Sequence, residues 1–309
     1  MSNTMFAATH DAGKAITRTF DMVWPLVAGL WNIRQASKDF FVQNPNASNK
    51  DAKRAIISGL NVRGLDFRGI FENYTWEDEE EYISEILLIN AIAIFDTWVD
   101  SFVDVTLPSA SATKKKNLKE AMKKGDFADY EATLALEPNS VLKAHFRASK
   151  QRKDAQIGNL LIVYKYYKAC RNCIAHGNRI YTDKAENCYN SMAVLTAQDC
   201  GIKELPKPDV TVQGQPLKLV FRGVVGLYDV LLCIVYHYDI VASDKTCIEL
   251  EIANRWRQLQ GISLCRNVKK RNNSIRNYFK SIDMCPPLQA MTDDVYDFLK
   301  TNNLVTQGL

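Results

Sequence analysis

Arg171, Asn172 and His176 stand close together near the middle of the chain, within residues 164–178, YKYYKACRNCIAHGN. A guanidinium holds a phosphate bidentately, and an imidazole moves a proton near neutral pH. An amide four positions before the histidine lies one turn back on the same helical face, where it can bond the ring and fix its tautomer. Arg171 is five positions before His176, about 140° around an ideal helix. One helix therefore does not aim both side chains at a single point. A long arginine stem, a distorted last turn or a second copy across a two-fold axis closes that gap. The chemistry open to such a set is phosphodiester cleavage in RNA, with the substrate's own 2′-OH as nucleophile and no metal.

The elements that must carry these residues are helices. Ile157, Leu160, Leu161, Tyr164, Tyr167 and Ile174 recur at core spacing, so a long helix is expected over 151–176 with Gly177 terminating it. A second long helix is expected from Thr75, whose acidic first turn at 77–81 suits a helix N-terminus, to about Val105 before Pro108. Asp96 and Asp100 lie four apart on it among apolar neighbours, which calls for a cation or solvent. Asp96 is the expected partner of Arg171 or His176.

An Arg-Asn followed by three residues and His, late in a long helix of a helical chain, resembles the signature of the HEPN superfamily. The resemblance covers roughly residues 77–243. It implies a helical bundle, a metal-independent endoribonuclease activity of toxin or anti-phage defence type, and an acidic residue on the helix facing the motif. Arg171, Asn172 and His176 take the motif positions, and Asp96 is the acidic candidate. The competing reading is a charge-dipole arrangement at a helix C-terminus, without catalysis.

Composition is that of a globular chain: 309 residues, 47% hydrophobic, 24% charged, net charge +4. Basic residues concentrate over 114–124, 143–153 and 255–280, and local patches of this kind suit a polyanion. Lys168 and Arg179 beside the motif, and Lys269 and Arg271 in the C-terminal stretch, are the expected RNA contacts. Eight cysteines without a tight framework and a start lacking a charged, apolar leader point to reduced thiols and a cytoplasmic setting. Apolar stretches 86–105 and 217–241 approach membrane length, but Asn90, Asp96, Asp100 and Asp104 interrupt the first and Lys218, Arg222, Asp229, His237 and Asp239 the second, so buried bundle helices are expected and no membrane. Cys170 and Cys173 lack the further ligands a zinc site needs, so neither metal nor cofactor is expected.

Elsewhere, residues 16–30 form an amphipathic helix that Pro25 should kink, with Trp24 and Trp31 in the core. A short helix follows over 51–57, then a loop over 61–71. Short helices are expected through Ser149, and another over 182–198. Residues 206–220 alternate around QGQP as a small β-hairpin. An apolar helix over 221–241 carries His237 as a satisfied histidine, whereas His10 and His145 have no evident partner. Basic helices over 247–259 and 266–280 interleave Trp256, Tyr278 and Phe279. The expectation is thus an all-α, antiparallel bundle with a small β-hairpin and extra terminal helices, divided as 1–75, 76–245 and 246–309. RNA, a second copy of the chain and a regulatory protein or antitoxin are the expected partners.

Overall fold

The computed structural model describes residues 4–59, 63–142, 152–209, 211–259 and 261–307. The basic run 143–153 lies largely outside them, as do His145 and Val210. The fold is all-α. In chain order the helices are α1 (Ala7–Gln43), α2 (Asn49–Ile56), α3 (Gly69–Glu72), α4 (Trp76–Thr106), α5 (Ala112–Met122), α6 (Ala128–Leu136), α7 (Ile157–His176) and α8 (Asp183–Ala193). They continue as α9 (Ala197–Cys200), α10 (Phe221–Ser243), α11 (Cys247–Trp256), α12 (Val268–Ser281) and α13 (Thr292–Thr301).

Four of these build the frame that holds the motif. Helix α4 packs on α1, α7 and α10, and α10 packs in turn on α1 and α7. The reason is written in α4: Leu88, Ala91, Ile92, Phe95, Val99, Phe102 and Val103 recur at helical spacing and are all buried. Thr75 opens α4 with a capping box, its side chain accepting from the Asp78 amide while the Asp78 carboxylate accepts from the Thr75 amide at 2.8 Å. Aromatic rings tie the frame helices to one another and to the insertion carrying α5 and α6. Phe95 of α4 lies 4.4 Å from Tyr164 of α7 between ring centres, and Phe127 of the insertion stacks on Tyr238 of α10 at 4.2 Å. By length and composition α4 and α10 could each cross a membrane, yet 50% and 61% of their apolar windows are buried within this bundle.

Helix α1 starts without a capping side chain of its own. Carboxylates from two other helices replace it. Asp239 on α10 accepts from the amides of Met5 at 2.6 Å and Phe6 at 3.0 Å, and Glu251 on α11 accepts from Ala7 at 2.9 Å. Burial pushes the Asp239 carboxyl up to about 7, against the pull of those amides, Thr9 and Arg255. The main hydrophobic core therefore draws on Phe6 and Ile16 near one end, and on Trp256 and Leu299 near the other, crossing all three sequence segments. A smaller cluster of Phe41, Ala52, Ile57 and Phe67 joins the end of α1 to α2 and the loop after it.

Several local expectations change. Pro25 lies inside one 37-residue helix, α1, which continues past it. Trp24 and Trp31 are half-exposed rather than core: Trp24 meets Phe221 edge-on at 5.8 Å and Trp31 meets Trp76 at 4.9 Å. The helix expected over 182–198 is interrupted after Ala193, because Thr196 caps α9 as a new start. No hairpin forms over 206–220 among the described residues. Leu217 and Leu219 are buried there, so the alternation reflects a segment lying on the bundle. Its Pro216 also has no amide to offer a ladder. Among the described residues the one small sheet is a parallel pair, β1 (Ser263–Leu264) with β2 (Thr306–Gln307).

Candidate functional site

Helix α7 ends at His176, and the turn that follows is unusual. Gly177 keeps a negative φ of −113°, whereas Asn178 and Arg179 are left-handed at 51° and 66°. Asparagine tolerates that region, but arginine pays for it. The amides of Gly177 and Arg179 converge on the Cys173 carbonyl at 3.0 and 3.1 Å. The QGQP segment then closes over the turn. Tyr181 donates to the Gln215 carbonyl at 2.9 Å, Gly214 to that of Tyr181 at 2.9 Å, and Leu217 to that of Arg179 at 2.7 Å. The stretch expected as a hairpin thus serves as a clamp behind the motif. Gly214, at φ 78°, supplies the bend.

Two sets of ion pairs fix α7 against α4. Lys168 Nζ lies 2.8 and 3.0 Å from the two Asp96 oxygens. Arg179 reaches Glu81 at 3.3 Å and also pairs with Glu85. Residue numbers rise along α7 as they fall along α4, so the helices are antiparallel, and Arg171, Asn172 and His176 lie between the two anchors. Asp96 continues as a ladder along α4: Asp100 pairs with Lys123 at 2.7 Å and Asp104 with Lys119 at 2.8 Å. The lysines of α5 and the turn after it are therefore partly spent on holding the insertion in place.

Within the motif, Arg171 is half-buried and donates from Nη1 to Asn172 Oδ1 at 3.1 Å, while its Nε is buried without a partner. The Asn172 amide thus engages the arginine, where a bond to the imidazole was expected. His176 is exposed on the last turn. Asp96 does not reach His176 either: its partner Lys168 stands two turns earlier, about 12 Å along the axis. Burial lowers the Lys168 ammonium pKa, partly offset by Asp96, with Arg171 and Lys123 adding to the lowering. The electrostatic neighbourhood of Arg171 thus contains Lys168 and, through it, Asp96.

The expected RNA contacts divide. Lys168 and Arg179 are engaged by carboxylates, as above. Arg271 is also occupied, with Nη2 2.6 Å from Asp293 and its guanidinium 4.0 Å over the Tyr296 ring. Lys269 is exposed and has no ion pair among the described residues. The aromatics near it do not form a stacking platform, because Trp256 and Phe279 are buried in the core.

The remaining candidates are structural. His237 is buried and accepts from the Lys153 amide at 3.0 Å through Nδ1; burial lowers its pKa to about 4. His10 sits 3.4 Å from Asp283. Cys170 and Cys173 are buried, and burial pushes the Cys170 thiol up to about 12, which keeps it protonated. No group of three or more potential metal ligands occurs among the described residues. Glu81, Glu85 and the 214–217 clamp were missed by reading the sequence. The four-residue spacing of the two glutamates was their only local signal.

No family model, curated protein or solved structure matches this chain.

Proposed function

We propose that the chain is a HEPN-like, metal-independent endoribonuclease. The observation that carries this reading is the placement of Arg171 and His176 in the closing turns of α7, at the surface between two ion-paired anchors. Arg171 is held by Asn172 through Nη1, which leaves a guanidinium suited to a phosphate oxygen. In the mechanism, His176 accepts the 2′-OH proton as that oxygen attacks the adjacent phosphorus. Arg171 stabilises the charge gathering on the phosphoryl oxygens, and the 5′-oxygen leaves as it takes a proton from solvent, to which His176 returns the one it accepted. Products end in a 2′,3′-cyclic phosphate, and DNA is not cut. A toxin or anti-phage role, with an antitoxin or trigger controlling it, fits the reading.

The two side chains diverge on one helix, so the complete site takes a second copy, with motif-bearing helices facing one another. The test is digestion of mixed RNA in EDTA by the native chain and by His176→Ala. Cleavage by the first and not the second supports the reading; cleavage restored only by a divalent ion overturns it.

A second reading is a non-catalytic scaffold of the same architecture. The observation favouring it is the exposed apolar run Tyr82, Ile86 and Ile89 on α4, a surface suited to a protein partner. Binding that survives His176→Ala, with no cleavage by the native chain, identifies this case.

A further inference from the structure

We infer that Arg179, held by Glu81 and Glu85, is a positioning residue that sets where His176 points. The inference rests on the ribonuclease reading and goes beyond it, since Arg179 touches no substrate in this scheme. Three observations carry it together. Arg179 occupies the left-handed region at φ 66°, directly after Asn178 at 51°. A β-carbon makes that conformation unfavourable, so it persists where surrounding contacts impose it.

Those contacts are the second observation. The guanidinium pairs with Glu85, whose side chain is only 10% exposed, and with Glu81 at 3.3 Å. Burial raises the Glu85 carboxyl, partly offset by Arg179, so the glutamate without its arginine is an unpaired buried acid. The third is the backbone. The Arg179 amide bonds the Cys173 carbonyl three residues before His176, and its own carbonyl accepts from Leu217. His176 is therefore the last helical residue before a turn pinned on both sides, and the pin runs through one side chain to α4.

Arg179 keeps 47% of its side chain exposed, but two carboxylates neutralise the guanidinium, and its release toward RNA would strand Glu85. The geometry suits fixing the turn rather than meeting the substrate.

The experiment compares the full chain with Glu85→Gln, Arg179→Gly and Arg179→Lys. Readouts are kcat and KM on an RNA substrate, thermal unfolding, and the His176 ring resonances by NMR. Arg179→Gly takes the left-handed conformation freely and loses the carboxylates, so it separates fold from position. Expected are a fall in kcat of about tenfold or more for Glu85→Gln and Arg179→Gly, with KM nearly unchanged, and partial rescue in Arg179→Lys. The His176 resonances should shift or broaden in the same two variants. Wild-type kcat in Arg179→Gly overturns the inference. So does a raised KM at unchanged kcat, which would make Arg179 a substrate contact. If the native chain cuts no RNA, the ribonuclease reading fails by itself. The NMR comparison then decides this inference alone: unchanged His176 resonances in Arg179→Gly overturn it.

Discussion

Lys168 on α7 and Asp96 on α4 form a paired contact, Nζ to carboxylate at 2.8 and 3.0 Å, with only 16% and 24% of the two side chains exposed. The pair stands one turn before Arg171. It gives the facing helices a register point, and it takes Asp96 away from the histidine that its position among apolar neighbours had seemed to serve.

Removing one partner leaves the other partly desolvated. Asp96→Asn is expected to lower unfolding stability by about 1–3 kcal/mol, and Asp96→Asn with Lys168→Met to recover most of that loss. Denaturant melts of the two single variants and the double variant check it. Additive losses would mean the pair has no coupling. Under the ribonuclease reading, the pH profile of cleavage stays where it is in Asp96→Asn, because the carboxylate is two turns from His176 and already neutralised.

How much of this was legible in the sequence depends on the range of the interaction. The capping box at Thr75 and the buried stripe are local patterns, and α4, which carries both, formed within a residue of its expected ends, whereas α7 starts at Ile157, six residues after its expected start. Asp96 needed a cation, and the sequence said so, but α7 carries Lys165 and Arg171 as well as Lys168, and only packing chooses among them. The 206–220 stretch misled because burial of Leu217 and Leu219 against helices gives the same alternation as a strand. The clamp at Arg179 was invisible for a different reason. A left-handed arginine has no propensity signal, since the tertiary contacts impose it.

Gly223, in the first turn of α10, marks a close approach. An added β-carbon there would collide with the Lys207 carbonyl and stand 2.7 Å from the Tyr167 hydroxyl. Gly223→Ala is expected to cost about 1–3 kcal/mol, as overpacking does, because a backbone carbonyl cannot rotate away. Thermal unfolding of the variant measures it, and an unchanged midpoint would remove the claim.

The pH dependence of stability carries two opposed contributions. His237 is lowered to about 4, so between pH 4 and about 6.5 the unfolded chain binds the extra proton; this contribution is present at neutral pH and is lost as pH falls through that window. Asp239 is raised to about 7, so from about pH 4 to 7 the folded chain binds the extra proton, and this contribution is lost as pH rises. His237→Asn keeps an acceptor for the Lys153 amide and removes the first term. The stability difference, wild type minus variant, should grow with pH from 4 to 6.5 at a slope approaching about 1 kcal/mol per pH unit, then level off. Chemical denaturation at a series of pH values reads the slope. A difference that is flat or falls over that range would show that His237 is not buried neutral.

The last prediction concerns assembly. Arg171 and His176 diverge on α7, and α4, which packs on α7, leaves Tyr82, Ile86 and Ile89 open at 62%, 57% and 43% exposure. Three large exposed apolar side chains at helical spacing suit contact with a second copy. If the ribonuclease reading holds, the chain should be a dimer by light scattering. Ile86→Glu with Ile89→Glu should shift it to monomer and reduce cleavage, while the far-UV spectrum stays unchanged, since both side chains already face solvent. Mixing an Arg171→Ala chain with a His176→Ala chain supplies the sharper test. Where the composite site draws Arg171 from one copy and His176 from the other, the mixture regains part of the native activity that neither chain has alone. A fully active monomer would remove the two-fold argument, and a dimer that resists the paired glutamates would place the interface elsewhere.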